Sequence, residues 1–365
     1  MSEPKSAALH VGLLTGGGDA PGLNAAVRAF FHAATRRGLR VSASRFGFEG
    51  LLGRAGVFSV RVEDVRGILP RGGSILGCST KSNPFALAVD RAAKLDVAAS
   101  VKRRLIDLGI DALVLAGGDG TMGIARMLAE AGVSCVGIPK TIDGDLGGTE
   151  RTCGLDTAVE TAAHAVDALH STAESHNRVM VVEVMGRNAG WIALRAGIAG
   201  GADAILIPEI AYDGERVAAK IRERDALGLR FSIIVIGEGA QPVGGTPSEI
   251  ERARQGRPPR LGGAGERLAQ ELAEAGITHD VRVTVLGHLQ RGGAPAASDR
   301  VLATRFGVHA AELCAERRFG RMVALRNGAI ESMTFDEACA ARGTVDPGGD
   351  LVRCARAIGI ELGAA

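Results

Sequence analysis

The chain has 365 residues, of which 46% are hydrophobic and 23% charged, and its formal net charge is +2. This aliphatic content excludes a disordered chain, and the balanced charge provides no broad basic surface for nucleic acid or an anionic membrane. The length is sufficient for two domains of ordinary size. Glycine is in excess, because average usage of about 7% predicts roughly 26 glycines and the chain has 52.

The cysteines and the N-terminal residues bear on the cellular compartment of the protein. The six cysteines form no C-x-x-C pair and are interpreted as reduced residues of the protein interior: Cys78, Cys135, Cys153, Cys314, Cys339 and Cys354. Residues 1–10 lack the charged-then-apolar pattern of a signal peptide, and no stretch approaches the ~18 apolar residues of a membrane span. We therefore predict a cytoplasmic protein.

Short apolar runs alternate with segments of helical periodicity along the chain. The runs lie at residues 9–14, 112–116, 133–138, 179–184, 233–236 and 281–286, and helical segments at 23–37, 122–131, 155–169, 191–198 and 301–313. Apolar strands that alternate with helices are typical of parallel sheets covered on both faces. We predict an α/β protein with doubly wound, mostly parallel sheets.

Glycine-rich segments follow the predicted strands directly. In doubly wound folds, ligands bind at the carboxyl ends of the strands, where glycine lets backbone N–H groups approach a phosphate closely. The pattern therefore predicts a phosphate-binding protein. One long segment, residues 240–265, is rich in proline, glycine and arginine, and we predict that it is a flexible insertion.

The glycine segments of the first half carry acidic residues. TGGGDAPG (15–22) matches neither a P-loop nor a dinucleotide fingerprint and is equally consistent with a tight turn. In GGDGT (117–121), Asp119 suits a Mg²⁺ that bridges phosphates, although a helix-capping turn explains it equally well. TIDGD (141–145) adds Asp143 and Asp145, so one acid could hold metal while another acts as general base. An Asx-turn explains each loop alone but less readily all of them together.

Cationic residues accumulate in the second half. In a chain with 37 arginines, any single arginine is most simply explained as a surface charge. As a group with a histidine and a glutamate, they predict a phosphate clamp with hydroxyl contacts for a phosphorylated sugar: Arg178, Arg187, Arg282, Arg291, His288 and Glu238. With only six lysines in the chain, Lys140 in a loop is also notable.

Five motifs together resemble the 6-phosphofructokinase family. They are GGDAPGLNAAVR, GGDGT, PKTIDGD, VVEVMGRNAGW and VLGHLQRGG, in that order between residues 16 and 300. The resemblance implies a two-domain enzyme with its active site in the cleft between the domains. A phosphoryl-donor domain would span 1–154 plus about 290–340, and a fructose 6-phosphate domain 155–289 plus about 341–365. The reaction would be Mg²⁺-dependent transfer of the terminal phosphoryl group of ATP to the sugar 1-hydroxyl.

The resemblance also implies residue roles. Asp143 would accept the proton of the sugar 1-hydroxyl, with Lys140 and Thr141 beside it, and Asp119 would hold Mg²⁺. The remaining donor contacts would be Gly18, Thr80, Lys81, Gly118, Gly120 and Thr121. The sugar contacts would be Thr141, Ile142, Asp143, Met185, Gly186, Arg187, Glu238, His288, Leu289, Gln290 and Arg291. Arg178 and Arg282 match arginines that reach a neighbouring subunit's site, which implies a homo-oligomer, typically a tetramer.

The phosphoryl donor is the point on which the motifs disagree. Pyrophosphate-using members of the family have lysine at the position of Lys140, but they have aspartate at the position of Gly120. An aspartate there would repel the α-phosphate of ATP, so Gly120 favours ATP. Some pyrophosphate enzymes also have glycine at the position of Gly144, which weakly favours pyrophosphate. Lys81 lies near the position of an arginine in the ATP enzymes and could supply its charge. We favour ATP, with pyrophosphate as the alternative.

Two other functions remain open. NAD and lipid kinases also use a GGDGT loop, but such a kinase leaves HLQRGG and MGRNAG unexplained. An idle sugar-phosphate sensor predicts loss of the acids, whereas Asp119, Asp143 and Asp145 are all present.

Overall fold

A computed structural model describes residues 8–53, 56–88, 90–251, 260–340 and 342–364. The described residues fall into two compact units. Unit 1 comprises the described residues of Met1–Ile142, Leu146–Gly154 and Arg291–Gly343. Unit 2 comprises those of Asp143–Asp145, Leu155–Gln290 and Thr344–Ala365. Within the described ranges, no helix is both long enough and apolar enough to cross a membrane.

The strands and helices alternate along most of the chain. The strands are β1 His10–Thr15, β2 Arg40–Ser44, β3 Val57–Ser59, β4 Ala112–Gly117, β5 Cys135–Thr141, β6 Cys153–Gly154, β7 Val179–Val184, β8 Ala204–Leu206, β9 Ser232–Gly237, β10 Glu249–Glu251, β11 Arg260–Leu261, β12 Val281–Val285, β13 Arg321–Arg326 and β14 Ala329–Thr334. The helices are α1 Leu23–Arg36, α2 Phe48–Leu51, α3 Arg91–Asp107, α4 Asp119–Glu130, α5 Leu155–His176, α6 Trp191–Ala199, α7 Gly214–Ala226, α8 Ala264–Glu274, α9 Ala297–Ala315, α10 Phe335–Ala340 and α11 Asp350–Ala357.

Unit 1 is built on a mixed sheet with the strand order β14-β13-β5-β4-β1-β2-β3, and β6 pairs with β5. The strands from β13 to β2 are parallel to their neighbours, whereas β14 and β3 at the two edges are antiparallel. The predicted α/β class with mostly parallel sheets is confirmed. The sequence pattern missed the antiparallel edge strands, because both are only partly buried and neither forms an uninterrupted apolar run of the kind found in the central strands.

Successive residues of the central strands of unit 1 face two different cores. Val114 and Ala116 of β4 join a core with Phe30 of α1 and Phe306 of α9. Leu113 and Leu115, the alternate residues of β4, join a second core with residues of α3 and α4. Side chains alternate between the two faces of a strand, so a strand buried on both faces has to be apolar throughout. This burial explains the uninterrupted apolar runs in the sequence.

Helices α1 and α9 approach each other closely at a glycine. A Cβ atom on Gly307 of α9 would lie 2.5 Å from the carbonyl oxygen of Ala26 and 2.8 Å from the backbone nitrogen of Phe30. Only a residue without a side chain allows this approach. Part of the glycine excess therefore serves helix packing rather than phosphate loops.

Unit 2 is built on a fully parallel sheet with the strand order β12-β7-β9-β8. Val181 of β7 and Ile234 of β9 share a core with residues of α7 and α8. Helices α5 and α6 pack against β7 and β9. They cover the other face of the sheet, toward which the alternate residues of these strands point. The parallel order places the carboxyl ends of β7, β9 and β12 at one edge of the sheet.

Glu183 is a charged residue inside the apolar run of β7, and it is 2% exposed. Its Oε1 and Oε2 atoms accept hydrogen bonds from the backbone nitrogens of Gly263 (3.1 Å) and Gly265 (2.9 Å). These N–H groups belong to the first turn of α8, where an α-helix leaves its donors unsatisfied and favours negative charge. Glu183 thus anchors the N-terminus of α8 to the centre of the sheet.

The segment 240–265, predicted to be a flexible insertion, contains a short antiparallel pair of strands, β10 and β11. Residues 252–259 of this segment lie outside the described residues. The arginine-rich part on which that prediction mainly rests falls in this gap.

Candidate active site

The carboxyl ends of β1, β4 and β5 bring together the residues assigned to the phosphoryl donor in unit 1. These strands are neighbours, with Leu14 opposite Leu115 and Gly117 opposite Pro139. Beyond the strands, the backbone nitrogen of Gly16 donates to the carbonyl oxygen of Ala116 at 2.9 Å. The glycine segment at 16–19, here called the donor loop, therefore lies beside the end of β4.

Asp119 and its neighbours lie in a helix rather than in the loop that the sequence suggested. Gly117 ends β4, Gly118 is the N-cap, and Asp119, Gly120 and Thr121 form the first turn of α4. Residues 119 and 120 are exposed. The turn therefore presents backbone N–H groups at a helix N-terminus, which favours a phosphate.

Lys140 is a buried cation at the end of β5, where the sequence pattern predicted a loop. It is 4% exposed, and its Nζ atom donates to the carbonyl oxygen of Gly18. The pKa of Lys140 is lowered to about 8, mainly by burial and in smaller part by the nearby Arg291, whereas Cys78 and Asp19 act in the opposite direction. The ammonium group is thus placed against the donor loop, with a pKa near physiological pH.

Arg291 also holds the donor loop. Its Nη1 atom donates to the carbonyl oxygen of Asp19 at 3.0 Å, within unit 1. The resemblance assigned Arg291 to the sugar, and the structure adds a contact with the backbone of the donor loop. Two cations, Lys140 and Arg291, therefore bind successive carbonyl oxygens of this loop.

Thr80 and Lys81, the other residues assigned to the donor, have exposed side chains. Their segment is fixed by its neighbours, because Ser79 Oγ donates to Glu49 Oε1 at 2.8 Å and Thr15 Oγ1 donates to the carbonyl oxygen of Gly77 at 2.7 Å. The segment is thus attached to β1 and α2 with both side chains open to solvent.

The residues of unit 1 fit a Mg²⁺ ion that is bound together with phosphates. Mg²⁺ is usually held by one or two carboxylates plus substrate oxygens and waters, not by a cage of protein ligands. The exposed Asp119 at the α4 N-terminus has a carboxylate that could serve as such a ligand. Among the described residues no group of three or more His, Cys, Asp or Glu side chains could hold a metal ion alone.

The loops after β7, β9 and β12 contact one another at the carboxyl edge of the unit 2 sheet. The backbone nitrogen of Glu238 donates to the carbonyl oxygen of Val184 at 2.8 Å, and that of Gly239 to Gly186 at 3.3 Å. The loop at residues 185–190, here called the sugar loop, is thus joined to the loop that carries Glu238. Met185, Gly186, Arg187, Glu238 and His288 all belong to this edge.

Leu289 and Gln290 differ in their surroundings. Gln290 is fully buried; its Oε1 atom accepts from the Met185 backbone nitrogen at 3.4 Å, and its Nε2 atom donates to the carbonyl oxygen of Gly287 at 3.1 Å. Leu289, in contrast, is 69% exposed. The structure thus uses the Gln290 side chain to join two loops, whereas that of Leu289 is open to solvent.

Asp143 lies in a turn that is held by α5 and α6. The next residue, Gly144, has a φ of +68°, and a Cβ atom there would lie 2.9 Å from Leu155 Cδ2 and 3.0 Å from Trp191 Cδ1. Trp191 therefore packs against the turn that carries the carboxylate. Thr141, at the end of β5, is held through its carbonyl oxygen, which accepts from Thr152 Oγ1 at 2.8 Å.

Arg178 and Arg282 are separated from the other sugar residues. Arg178 precedes β7 and Arg282 is the second residue of β12, and both donate through Nε to Asp280 Oδ2, at 2.8 Å and 3.0 Å. Strands rise about 3.3 Å per residue, so Arg178 lies roughly 23 Å from Met185 at the other end of β7. The two arginines therefore form a pair at the amino edge of the sheet, whereas Arg187 and His288 lie at its carboxyl edge.

Comparisons with known proteins identify the family of this chain. A family model described as phosphofructokinase matches residues 10–314. The ATP-dependent 6-phosphofructokinase of Chloroflexus aggregans is 49% identical over 354 residues, which cover 97% of this chain and 98% of the relative. The chain belongs to the phosphofructokinase family.

Other members of the phosphofructokinase family differ in their named donor and in length. The pyrophosphate--fructose 6-phosphate 1-phosphotransferase of Streptomyces coelicolor is 47% identical over 342 residues, 93% of this chain and 97% of the relative. The solved phosphofructokinase of Saccharomyces cerevisiae is 33% identical with a TM-score of 0.76, over 91% of this chain and 45% of the yeast chain. Overall identity therefore establishes this phosphofructokinase family and its fold, and the donor has to be argued from individual residues.

The pKa of Lys140 predicts a pH dependence for this phosphofructokinase. The ammonium form is present below about pH 8 and is lost as the pH rises through that value. We expect kcat/KM for the phosphoryl donor, which reports ionisations of the free enzyme, to fall about tenfold per pH unit above this pKa. This fall is expected to be absent in Lys140→Met, whose kcat/KM for the donor should be low and nearly independent of pH.

Lys81→Met is the matched control, because it removes a lysine whose side chain is exposed. It is expected to keep the alkaline fall of the wild type. An identical alkaline fall in Lys140→Met would show that another group titrates.

Proposed function

We propose that the protein is a cytoplasmic 6-phosphofructokinase that uses ATP and Mg²⁺ to convert fructose 6-phosphate to fructose 1,6-bisphosphate and ADP. The observation that carries the proposal is the sorting of the family motifs by unit. The residues assigned to the donor lie at the carboxyl edge of the unit 1 sheet, most of those assigned to the sugar lie at that of unit 2, and Asp143 is two residues beyond the end of β5. All six cysteines are free, which suits a reducing compartment.

The chemistry of each residue follows from its surroundings. Asp143 accepts the proton of the sugar 1-hydroxyl, and the hydroxyl oxygen then forms a bond to the terminal phosphorus while the bond to the leaving ADP oxygen breaks. Lys140 and the N–H groups at the α4 N-terminus neutralise the negative charge that moves onto the phosphate oxygens. Mg²⁺, when held by Asp119, supplies further charge neutralisation at these oxygens.

Gly120 supports ATP as the donor. A Cβ atom at this position in the first turn of α4 would have no heavy atom within 4 Å. The space over the turn is therefore open, so an α-phosphate with its nucleoside has room there. An aspartate at this position would project a negative charge into that space without disturbing the fold.

Arg178 and Arg282 support a homo-oligomer, which we propose is a tetramer. In their own chain these arginines lie at the edge of the sheet opposite to Glu238 and the sugar loop. An arginine pair held by Asp280 suits the phosphate of a sugar bound to a second copy of the chain.

The role of Asp143 is tested by Asp143→Ser. We expect turnover to fall by about 10²- to 10⁴-fold, the usual contribution of a general base, while calorimetry still detects binding of fructose 6-phosphate. Turnover near that of the wild type would remove Asp143 from this role, and loss of sugar binding would indicate that it mainly binds substrate.

The donor is tested by assaying wild type and Gly120→Asp with fructose 6-phosphate and Mg²⁺, offering ATP and pyrophosphate separately. We expect wild type to use ATP, and kcat/KM for ATP to fall by at least 100-fold in Gly120→Asp, on the order of 3 kcal/mol. Gly120→Ser adds bulk without charge, and its kcat/KM for ATP is expected to fall much less. Activity of the wild type with pyrophosphate alone would overturn the choice of donor.

The oligomer is tested by mixing two defective chains. One chain carries Asp143→Ser and the other carries Arg178→Ala with Arg282→Ala. We expect each to be nearly inactive alone and co-expression to restore activity, because some sites then combine an intact Asp143 with intact arginines of the neighbour. The control is a chain that carries all three changes. Co-expressed with either defective chain, it should restore no activity. Failure of the first mixture, with mixed oligomers shown to form, would contradict the shared site.

A further inference from the structure

Glu209 is a half-buried acid that none of the motifs includes. It follows β8 in unit 2, and its carboxylate accepts three hydrogen-bond contacts from backbone nitrogens. Both of its oxygens lie 3.0 Å from the nitrogen of Gly190, and Oε1 lies 2.7 Å from the nitrogen of Val345. Burial raises the pKa of Glu209, while these backbone hydrogen bonds lower it.

The first of these partners ends the sugar loop. Gly190 is the N-cap of α6, so Glu209 supplies the negative charge and the acceptors that a helix N-terminus favours. Gly190 is also three residues beyond Arg187 and immediately before Trp191, which packs against Gly144. The position of Gly190 therefore affects the sugar loop on one side and the turn that carries Asp143 on the other.

The second partner lies in the C-terminal segment of unit 2. Val345 is 3% exposed, and further along the same segment Glu361 pairs with Ala204 of β8. Glu209 thus attaches the sugar loop to the C-terminal segment, which itself pairs with β8 of the sheet.

From this geometry we propose that Glu209 is a positioning residue of the enzyme, which fixes Gly190 and thereby holds the sugar loop in its binding conformation. It acts through the backbone and does not itself contact substrate. The proposal rests on the function proposed above for the sugar loop.

Asp203 provides a matched control, because it is the acid at the other end of β8. It accepts from the backbone nitrogen of Ile233 at 2.9 Å and pairs with Arg224 Nη1 at 2.6 Å, and burial raises its pKa as it does for Glu209. Asp203 lies at the amino edge of the sheet, away from the sugar loop. Its loss should destabilise unit 2 without changing the sugar loop.

The test compares Glu209→Gln and Asp203→Asn with the wild type in two measurements. Glutamine keeps the size of Glu209 but removes its charge and replaces one acceptor by a donor that faces N–H groups. Hydrogen exchange without substrate is expected to rise in peptides covering residues 185–191 in Glu209→Gln alone. In steady-state assays, KM for fructose 6-phosphate is expected to rise about tenfold in Glu209→Gln, a loss typical of one hydrogen bond to a charged group. KM for ATP should stay within twofold of the wild-type value.

The outcomes separate this inference from the proposed function. Unchanged exchange at 185–191 in Glu209→Gln, or an unchanged KM for the sugar, would overturn the positioning role. An equal rise of the sugar KM in Asp203→Asn would also overturn it, because general loosening of unit 2 would then be the cause. A wild-type chain that neither binds nor phosphorylates fructose 6-phosphate would instead overturn the proposed function, a result visible before any variant is measured.

Discussion

The parallel arrangement of β1, β4 and β5 is the constraint on which the phosphoryl-donor residues depend. Parallel strands need a crossover connection, usually a helix that starts at the carboxyl edge of the sheet. The arrangement therefore places the donor loop, the α4 N-terminus and the end of β5 at one edge, with backbone N–H groups directed outward. The dense apolar core behind this edge keeps the strands in register, so the loops themselves need few side chains.

Lys140 introduces a cost into this arrangement. Burying an ammonium group is unfavourable unless it is paired, and burial accordingly lowers its pKa. Its contact with the carbonyl oxygen of Gly18, together with that of Arg291 with Asp19, partly offsets the cost and orders the donor loop. A phosphate at this place would complete the pairing of these cations. The same charge thus stabilises the loop and favours an anionic ligand.

The sequence predicted the α/β class and most of the central strands, because burial on both faces requires apolar runs that are easy to recognise. It placed Asp119 and Lys140 in loops, whereas they begin α4 and end β5, since the sequence does not show where hydrogen bonding of a strand or helix stops. Glu209 carried no signal, because its role depends on backbone groups of Gly190 and Val345 that come together only in the folded chain. The assigned roles of the site residues stay predictions.

The helix N-termini of the two units differ in whether carboxylates of the chain already occupy them, which bears on how each unit could bind a phosphate. In unit 2 the first turns of α6, α7 and α8 already bind carboxylates, from Glu209, Asp213 and Glu183 respectively. A sugar phosphate gains little from a helix N-terminus whose charge is already neutralised. Its charge has to be met by side chains, and two suitable arginines lie at the opposite edge of the sheet. In the tetramer proposed above, a second copy of the chain would place such a pair against the phosphate, and the capped helices of unit 2 are consistent with that proposal.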